Sequence, residues 1–269
     1  MQPADLLANA SPQGYTLPLS PGGESSLVPP PPWHFSGDVM VVEYLADPAE
    51  VAPYMPRGVT PDPEGRAAAI FGSWQSCTDG GVELLDPIRS QYHEFYIVLA
   101  GTLGDQKVAR CPYCWVDRDF SLVRGLIQGY PKKLASIAMT WAGGVGRAAS
   151  PLAPGVQFGA SCAAEHRRLA EMRLRLTTPA DEGSWFMRAP LVHTRRFPAW
   201  DPAGAGVDEL VAAETVSQEF LDVWHAAGEL SLFSGPNHGL AKLRPRELGS
   251  ACRMSYAETL LGGRLITTA

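Results

Sequence analysis

The chain has 269 residues and a formal net charge of −6 at pH 7, and 45% of its residues are apolar. That length fits one large folded domain or two small ones, and the composition excludes a disordered chain. No apolar run approaches the ~20 residues that span a bilayer, so we expect no membrane association. The acidic balance argues against nucleic acid as a partner, because phosphate binding requires a basic surface.

Residues 1–32 hold eight prolines and no Lys or Arg. This composition predicts an extended N-terminal arm. We favour an arm that wraps its own body or a neighbouring subunit. The alternative is an arm that acts as a ligand for an aromatic groove. The body then starts at Trp33 and is predicted to form one domain over 33–269. A secretory signal needs basic residues near its start, and the five cysteines are an odd number for a disulfide framework. We therefore expect a cytoplasmic protein.

The first half of the body predicts strands and two helices. Asp47 as an N-cap, followed by Pro48, predicts a short helix over 47–54. Apolar residues at helical spacing predict an amphipathic helix over 119–128, which Gly129 ends. Strands are predicted by β-branched and apolar runs at 38–44, 67–74, 92–99 and 108–116, the last two separated by a turn at 104–105.

The second half is predicted to be mostly β. Its segments 156–176 and 209–233 contain good helix formers, but apolar residues alternate in 172–176 and in 229–233. Alternation with a period of two favours strands over helices.

Two cysteines, Cys111 and Cys114, have the Cys-x-x-Cys spacing of a redox pair or half of a zinc site. They lie inside a predicted strand, however, where a regular backbone would place the two thiols on opposite faces. No histidines or further cysteines occur at metal-ligand spacing. We therefore favour two packed thiols and predict no metal site.

The segment 129–133, Gly-Tyr-Pro-Lys-Lys, contains the adjacent pair Lys132 and Lys133 in a chain with only four lysines. At the reference pKa of a lysine, roughly one amine in 2,500 is neutral at pH 7, and only the neutral amine attacks a carbonyl. Two ammonium groups about 6 Å apart at an effective dielectric constant of ~20 repel by ~2.8 kcal/mol, which lowers one pKa by about two units. The pair therefore predicts Schiff-base chemistry.

The segment 130–134, Tyr-Pro-Lys-Lys-Leu, resembles the Schiff-base motif of the acetoacetate decarboxylase superfamily. A second segment, Tyr92-His-Glu94, resembles that family's Tyr-x-Glu motif, and 38 residues separate Glu94 from Lys132. Segments 230–233 and 247–266 resemble its C-terminal pattern, so the resemblance covers roughly 35–266. A neighbouring cation that lowers the pKa of the catalytic lysine is an established device of that family.

The resemblance implies a role for each matched residue. Lys132 would be the nucleophile, Lys133 the charge that lowers its pKa, and Glu94 an acid, base or orienting carboxylate. The implied fold is α+β and mainly antiparallel β, with a closed or cone-shaped sheet, a few helices and homo-oligomeric assembly. This chemistry requires no cofactor.

The sequence departs from the decarboxylases of that superfamily. They carry an arginine in the first long strand and a second glutamate in the next, whereas the stretches 35–44 and 67–76 here contain no Arg and only Glu43. Gln128 and Tyr256 instead resemble the branch that joins pyruvate to aldehydes by aldol addition and dehydration. Gln128 would bind the carboxylate or carbonyl of the substrate, and Tyr256 would protonate the alkoxide or assist water loss.

The sequence therefore predicts a lyase, an aldolase-dehydratase that forms a Schiff base with pyruvate or a similar 2-oxo acid and condenses it with an aldehyde. Three alternatives stay open: a decarboxylase of acetoacetate or another 3-oxo acid, a non-catalytic module that binds small molecules, and a thiol redox protein. Arg118 and Arg124 are candidates for a carboxylate clamp.

Overall fold

A twelve-stranded sheet dominates the computed structural model, which describes residues 11–268. Its strands are β1 Trp33–Leu45, β2 Val59–Pro61, β3 Arg66–Cys77, β4 Gln91–Leu103, β5 Gln106–Val116, β6 Lys132–Leu134, β7 Ser136–Met139, β8 Gln157–Ala164, β9 Arg167–Pro179, β10 Leu191–Phe197, β11 Val207–Leu232 and β12 Glu247–Thr268.

Helices are short in the part of the chain that the structure describes. The α-helices are α1 Pro48–Val51, α2 Pro87–Ser90 and α3 Asp119–Gln128, and the 3₁₀ helices are Ala52–Tyr54, Val82–Leu85, Trp185–Met187 and Gly239–Leu243. The amphipathic helix predicted over 119–128 is confirmed as α3. It ends because Gly129, with a φ of 88°, turns the backbone so that its amide reaches the carbonyls of Gly125 and Leu126.

The predicted helix over 47–54 divides into α1 and a 3₁₀ turn. The Asp47 carboxylate caps it by accepting from the Ala49 amide at 2.9 Å, as predicted. Pro53 has no amide proton with which to continue the α-helical bonding, and this accounts for the change of helix type.

The sheet closes on itself. Its central path runs β5, β4, β3, β1, β12 and β11, and every neighbouring pair along it is antiparallel. Strand β10 pairs with β5 at one end and with β11 at the other, which completes a ring of seven strands. Strands β9, β8 and β7 extend the sheet beyond β11. The mainly antiparallel, closed sheet is therefore confirmed, and only the β5–β10 and β5–β6 pairings of the described strands are parallel.

Core side chains divide between the two faces of the sheet because successive residues of a strand alternate in direction. One core packs the ring against β8 and β9 and includes Met40, Phe71, Phe95, Trp115 and Met172. The other core includes Val39, Ile70, Tyr96, Cys114, Phe120 of α3 and Met254. The face of the sheet that carries this other core is called the second face, and the polar residues of the candidate site lie on it.

A β-bulge in β5 contradicts one prediction. Arg110 lies opposite Leu99 and Tyr113 lies opposite Ile97, so two residues, Cys111 and Pro112, face one residue of β4. The extra residue reverses the alternation, and both Cys111 and Cys114 join the same buried core. The expectation that the two thiols lie on opposite faces was therefore wrong, because it assumed a regular strand.

The predicted arm is described from residue 11 onward, and positions 1–10 lie outside the described residues. Over 11–32 it forms no helix or regular strand and has a single bridge between Gln13 and Ser20. Val28 is buried in the core, and the ring of Tyr15 packs edge-on against the ring of Trp33, with 6.3 Å between the two ring centres. This part of the arm thus packs on its own body.

Candidate active site

A cavity of about 390 Å³ lies on the second face of the ring. It is lined by strands β3, β4, β6, β11 and β12, by the end of α3 and by the segment 186–191. Four of the five residues predicted from the sequence line it: Glu94, Gln128, Lys132 and Tyr256.

Lys132 and Glu94 form a buried ion pair. The Lys132 Nζ atom lies 2.7 Å from Glu94 Oε1, and the two side chains are only 6% and 9% exposed. Lys132 also donates to Ser121 Oγ of α3 at 3.1 Å. The pair forms because β4 and β6 flank β5, so that residues far apart in sequence meet across one strand.

A glycine in α3 leaves room for the lysine side chain. A Cβ atom on Gly125 would lie 2.3 Å from Lys132 Cδ, which is shorter than any real contact. Glycine costs about 1 kcal/mol in a helix relative to alanine, so its position here has a structural reason. The helix thereby packs directly on the aliphatic part of Lys132.

Two opposing effects determine the charge of Lys132. Burial is the largest effect and lowers the pKa of its ammonium, but the Glu94 carboxylate, together with smaller contributions from Tyr92 and Cys114, outweighs burial, and the net pKa is raised. The nearby Arg124 guanidinium lowers this pKa, although by less. The lysine is therefore protonated at rest, and Glu94, at hydrogen-bond distance, is placed to accept its proton.

The structure does not bring Lys133 to the cavity. Adjacent residues of a strand point to opposite sides, and Lys133 is exposed with its Nζ donating to the Asn237 carbonyl at 2.7 Å. It is absent from the cavity lining, where Arg124 supplies the second cation. The predicted role of Lys133 as the charge that lowers the pKa of Lys132 stays a prediction, and this geometry disfavours it.

Arg124 is a buried cation without a carboxylate partner among the described residues. It is 5% exposed, donates to Ser76 Oγ at 3.0 Å and lies 4.6 Å from the centre of the Phe35 ring. Buried guanidinium groups are normally paired with an anion. Arg124 also lines the cavity, so it is the member of the predicted arginine pool that can bind a substrate carboxylate, whereas Arg118 is exposed.

A second polar group lies on β12 and β11. Tyr256 donates its hydroxyl proton to Glu258 Oε2 at 2.6 Å and accepts from Gln218 Nε2 at 2.8 Å. Burial raises the pKa of Glu258, and the negative charge of Glu94 raises it further. Burial also raises the pKa of Tyr256, so both groups retain their protons to higher pH than usual. The cavity thus holds proton donors besides the Lys132–Glu94 ion pair.

Gln128 is the last residue of α3 and lines this cavity together with a neighbouring cavity. The second cavity, also about 390 Å³, shares Gln128, Ala213 and Leu260 with the first. The carboxamide of Gln128 therefore lies where a bound molecule would meet it.

The cysteine pair does not have the properties of a redox centre. Burial raises the pKa of the Cys114 thiol well above its usual value, and reactive thiols need a lowered pKa. Both thiols are buried, Cys111 at 0% and Cys114 at 1% exposure. The packing interpretation is favoured over the redox one.

Three residues of the site were missed at the level of sequence: Gln218 and Glu258, which line the cavity, and Ser121, which accepts from Lys132. Glu258 follows Tyr256 by two residues in a strand, so the period of two places both side chains on one face. That spacing was a usable signal. Ser121 and Gln218 carried none, because their positions depend on how α3 and β11 pack.

None of the helices over residues 11–268 is long and apolar enough to cross a membrane.

A closed, mainly antiparallel sheet around a buried lysine and its carboxylate is the arrangement expected for the acetoacetate decarboxylase class. The family model Acetoacetate decarboxylase (ADC) matches residues 16–268. The chain belongs to this family and is an acetoacetate decarboxylase-like enzyme.

The chain is also similar to proteins of solved structure. The chain is 41% identical to the enduracididine biosynthesis enzyme MppR complexed with pyruvate, with a TM-score of 0.91 over 96% of this chain and 99% of that one. MppR complexed with the condensation product of pyruvate and imidazole 4-carboxaldehyde matches with the same identity and TM-score over 97% and 98%.

An acetoacetate decarboxylase-like enzyme from Sphingomonas wittichii RW1 is 27% identical, with a TM-score of 0.89 over 96% and 100% of the two chains. A comparison with curated proteins gives no match.

Proposed function

We propose that this enzyme condenses pyruvate with an aldehyde through a Schiff base on Lys132, followed by loss of water. The observation that carries the proposal is the buried Lys132–Glu94 pair, 2.7 Å apart, in a cavity that also holds Arg124, which has no carboxylate partner among residues 11–268. Similarity to MppR, whose structures contain pyruvate and a condensation product of pyruvate, supports the same chemistry.

Schiff-base formation is the first stage. Arg124 and Gln128 bind the carboxylate and carbonyl of pyruvate, and Lys132 transfers a proton to Glu94 across the short contact between them. The neutral amine then attacks the ketone carbon of pyruvate, and water leaves to give an iminium ion. The proton that Glu94 accepted leaves with this water, and Glu94 then accepts a proton from the methyl group, which produces the enamine. Transfer within a buried pair frees the amine without a net change of charge, so no second lysine is required.

Carbon–carbon bond formation is the second stage. The enamine carbon attacks the aldehyde, and the resulting alkoxide takes a proton from the group formed by Tyr256 and Glu258. Loss of this hydroxyl as water and hydrolysis of the imine release an unsaturated 2-oxo acid and restore Lys132. The balance is one pyruvate and one aldehyde consumed, and one conjugated product and one water formed.

The direct test is to incubate the enzyme with pyruvate and imidazole 4-carboxaldehyde and to follow the absorbance of the conjugated product. We expect absorbance that grows only when both compounds are present, and a mass adduct with pyruvate after borohydride reduction. Carbon dioxide release from acetoacetate without condensation would assign the enzyme to the decarboxylases instead. Neither adduct nor product would favour a non-catalytic binding module.

Removal of the proposed carboxylate clamp should weaken pyruvate binding. We expect Arg124→Gln to raise KM for pyruvate about 10- to 100-fold, since a hydrogen bond to a charged group contributes about 1.5–3 kcal/mol. The matched control is Arg118→Gln, which changes the exposed arginine six residues earlier and should leave KM unchanged. An unchanged KM in the Arg124 variant, measured by steady-state kinetics, would show that Arg124 does not bind the carboxylate of pyruvate.

A further inference from the structure

Cys114 is a buried group at the centre of the site that the proposed reaction does not use. It lies on β5 between Tyr96 of β4 and Lys132 of β6, and it is 1% exposed. Its thiol donates to Glu94 Oε1 at 3.1 Å. This is the same oxygen that lies 2.7 Å from Lys132 Nζ. One carboxylate oxygen therefore accepts hydrogen bonds from both the thiol and the ammonium.

The bulge in β5 is what directs this thiol into the site. In a regular strand, Cys111 and Cys114 would point to opposite faces, and one of them would enter the other core. The extra residue at Cys111–Pro112 restores Cys114 to the face that carries Glu94. Bulges often occur beside active sites, where they redirect a side chain.

The thiol is a permanent donor in this position. Burial and the charge of Glu94 both raise the pKa of Cys114, so the S–H proton stays bound throughout the neutral range. A carboxylate accepts hydrogen bonds only, and a neutral thiol can donate one weak bond to it. The thiol therefore keeps contact with Glu94 whatever the protonation state of the lysine.

We propose that Cys114 is a positioning residue for the Schiff-base step, whose S–H holds the Glu94 carboxylate against Lys132 and partly offsets its charge. The inference rests on the proposed function, because it assigns Glu94 as the group that accepts the lysine proton. Between the loss of the ammonium proton and the formation of the iminium ion, Lys132 carries no charge, and the ion pair that orients Glu94 is absent. The thiol bond persists through this change and keeps the carboxylate beside the reacting nitrogen.

The test is the rate of pyruvate adduct formation, trapped with borohydride, as a function of pH. Without the S–H donor, the carboxylate of Glu94 keeps its full charge and the Lys132–Glu94 pair as a whole holds its proton more tightly. Cys114→Ala should therefore form the adduct only at higher pH. We expect its midpoint to move up by about one pH unit, together with a lower maximal rate. Cys114→Ser restores a donor of similar size and should return the midpoint toward the wild-type value.

Cys111→Ala is the matched control. It removes a buried thiol from the same strand and the same face. This thiol contacts the Tyr113 carbonyl and the Cys114 thiol but not Glu94. We expect a wild-type midpoint for this variant. A wild-type midpoint in Cys114→Ala, even at a reduced rate, would show a packing role alone and overturn the inference. A serine variant that behaves like the alanine variant would also overturn it. An absence of any adduct in the wild-type enzyme would overturn the proposed function itself.

Discussion

Lys132→Arg is expected to abolish the mass adduct that the wild-type enzyme forms with pyruvate and borohydride, and with it all condensation activity. Arginine preserves the positive charge beside Glu94 but cannot lose its proton in a protein, so it cannot attack a carbonyl. Because the charge remains, the buried Glu94 keeps a cationic partner, and loss of the adduct reports on nucleophilicity. Intact-protein mass spectrometry measures the result.

Lys133→Arg is the matched control, and it should leave the adduct at its wild-type level. Lys133 is exposed and bonded to the Asn237 carbonyl, outside the cavity. The variant Lys133→Ala extends the control to the charge itself: if Lys133 lowered the pKa of Lys132, adduct formation would require higher pH in this variant. The geometry predicts an unchanged pH profile. An adduct that survives Lys132→Arg would contradict the assignment of Lys132 as the nucleophile.

The sequence predicted the two members of the central ion pair but not the reason that they meet. Glu94 and Lys132 were recognised because each lies in a short motif of a known family. Their contact depends on β5, which pairs with β4 on one side and β6 on the other. Strand β6 has only three residues, too few to show an alternating pattern, so the sequence could not reveal that Lys133 faces away from Lys132.

Helix α3 could be predicted from local signals in the sequence, whereas the bulge in β5 could not. Helix α3 was predicted with its bounds because its apolar spacing and the glycine after it are local signals. The bulge at Cys111–Pro112 is set by the register between β4 and β5, which involves residues more than ten positions apart. Proline fits there because the unpaired position of a bulge needs no amide donor. Its presence inside a predicted strand was the one local sign that the strand is irregular.

Glu258 combines a local signal with an effect that only the fold creates. Its spacing from Tyr256 places both on one face of β12, but the sequence does not show that a glutamate there is surrounded by protein. Burial raises its pKa, so the neutral acid persists to higher pH than in an ordinary glutamate. A proton donor works below its pKa and fails above it. Donation by Glu258 should therefore decline as pH rises, while imine formation on Lys132 increases.

Glu258→Gln is accordingly expected to lower the rate of condensation about 100- to 10,000-fold, the usual contribution of a positioned general acid. Glutamine can still hydrogen-bond to Tyr256 but has no acidic proton to give. The trapped pyruvate adduct should form normally, because Schiff-base formation uses Lys132 and Glu94. Stopped-flow absorbance of the conjugated product, compared with adduct mass at each pH, separates the two stages.

The pH profile distinguishes proton donation from a structural role. In the wild-type enzyme, the rate of condensation should fall as pH rises and Glu258 ionises. The falling limb should disappear in Glu258→Gln. Glu214→Gln changes an exposed glutamate that also lines the cavity, and the falling limb should remain in that variant. If Glu258→Gln lost the adduct as well as condensation, the glutamate would be supporting the cavity instead of donating a proton to the alkoxide.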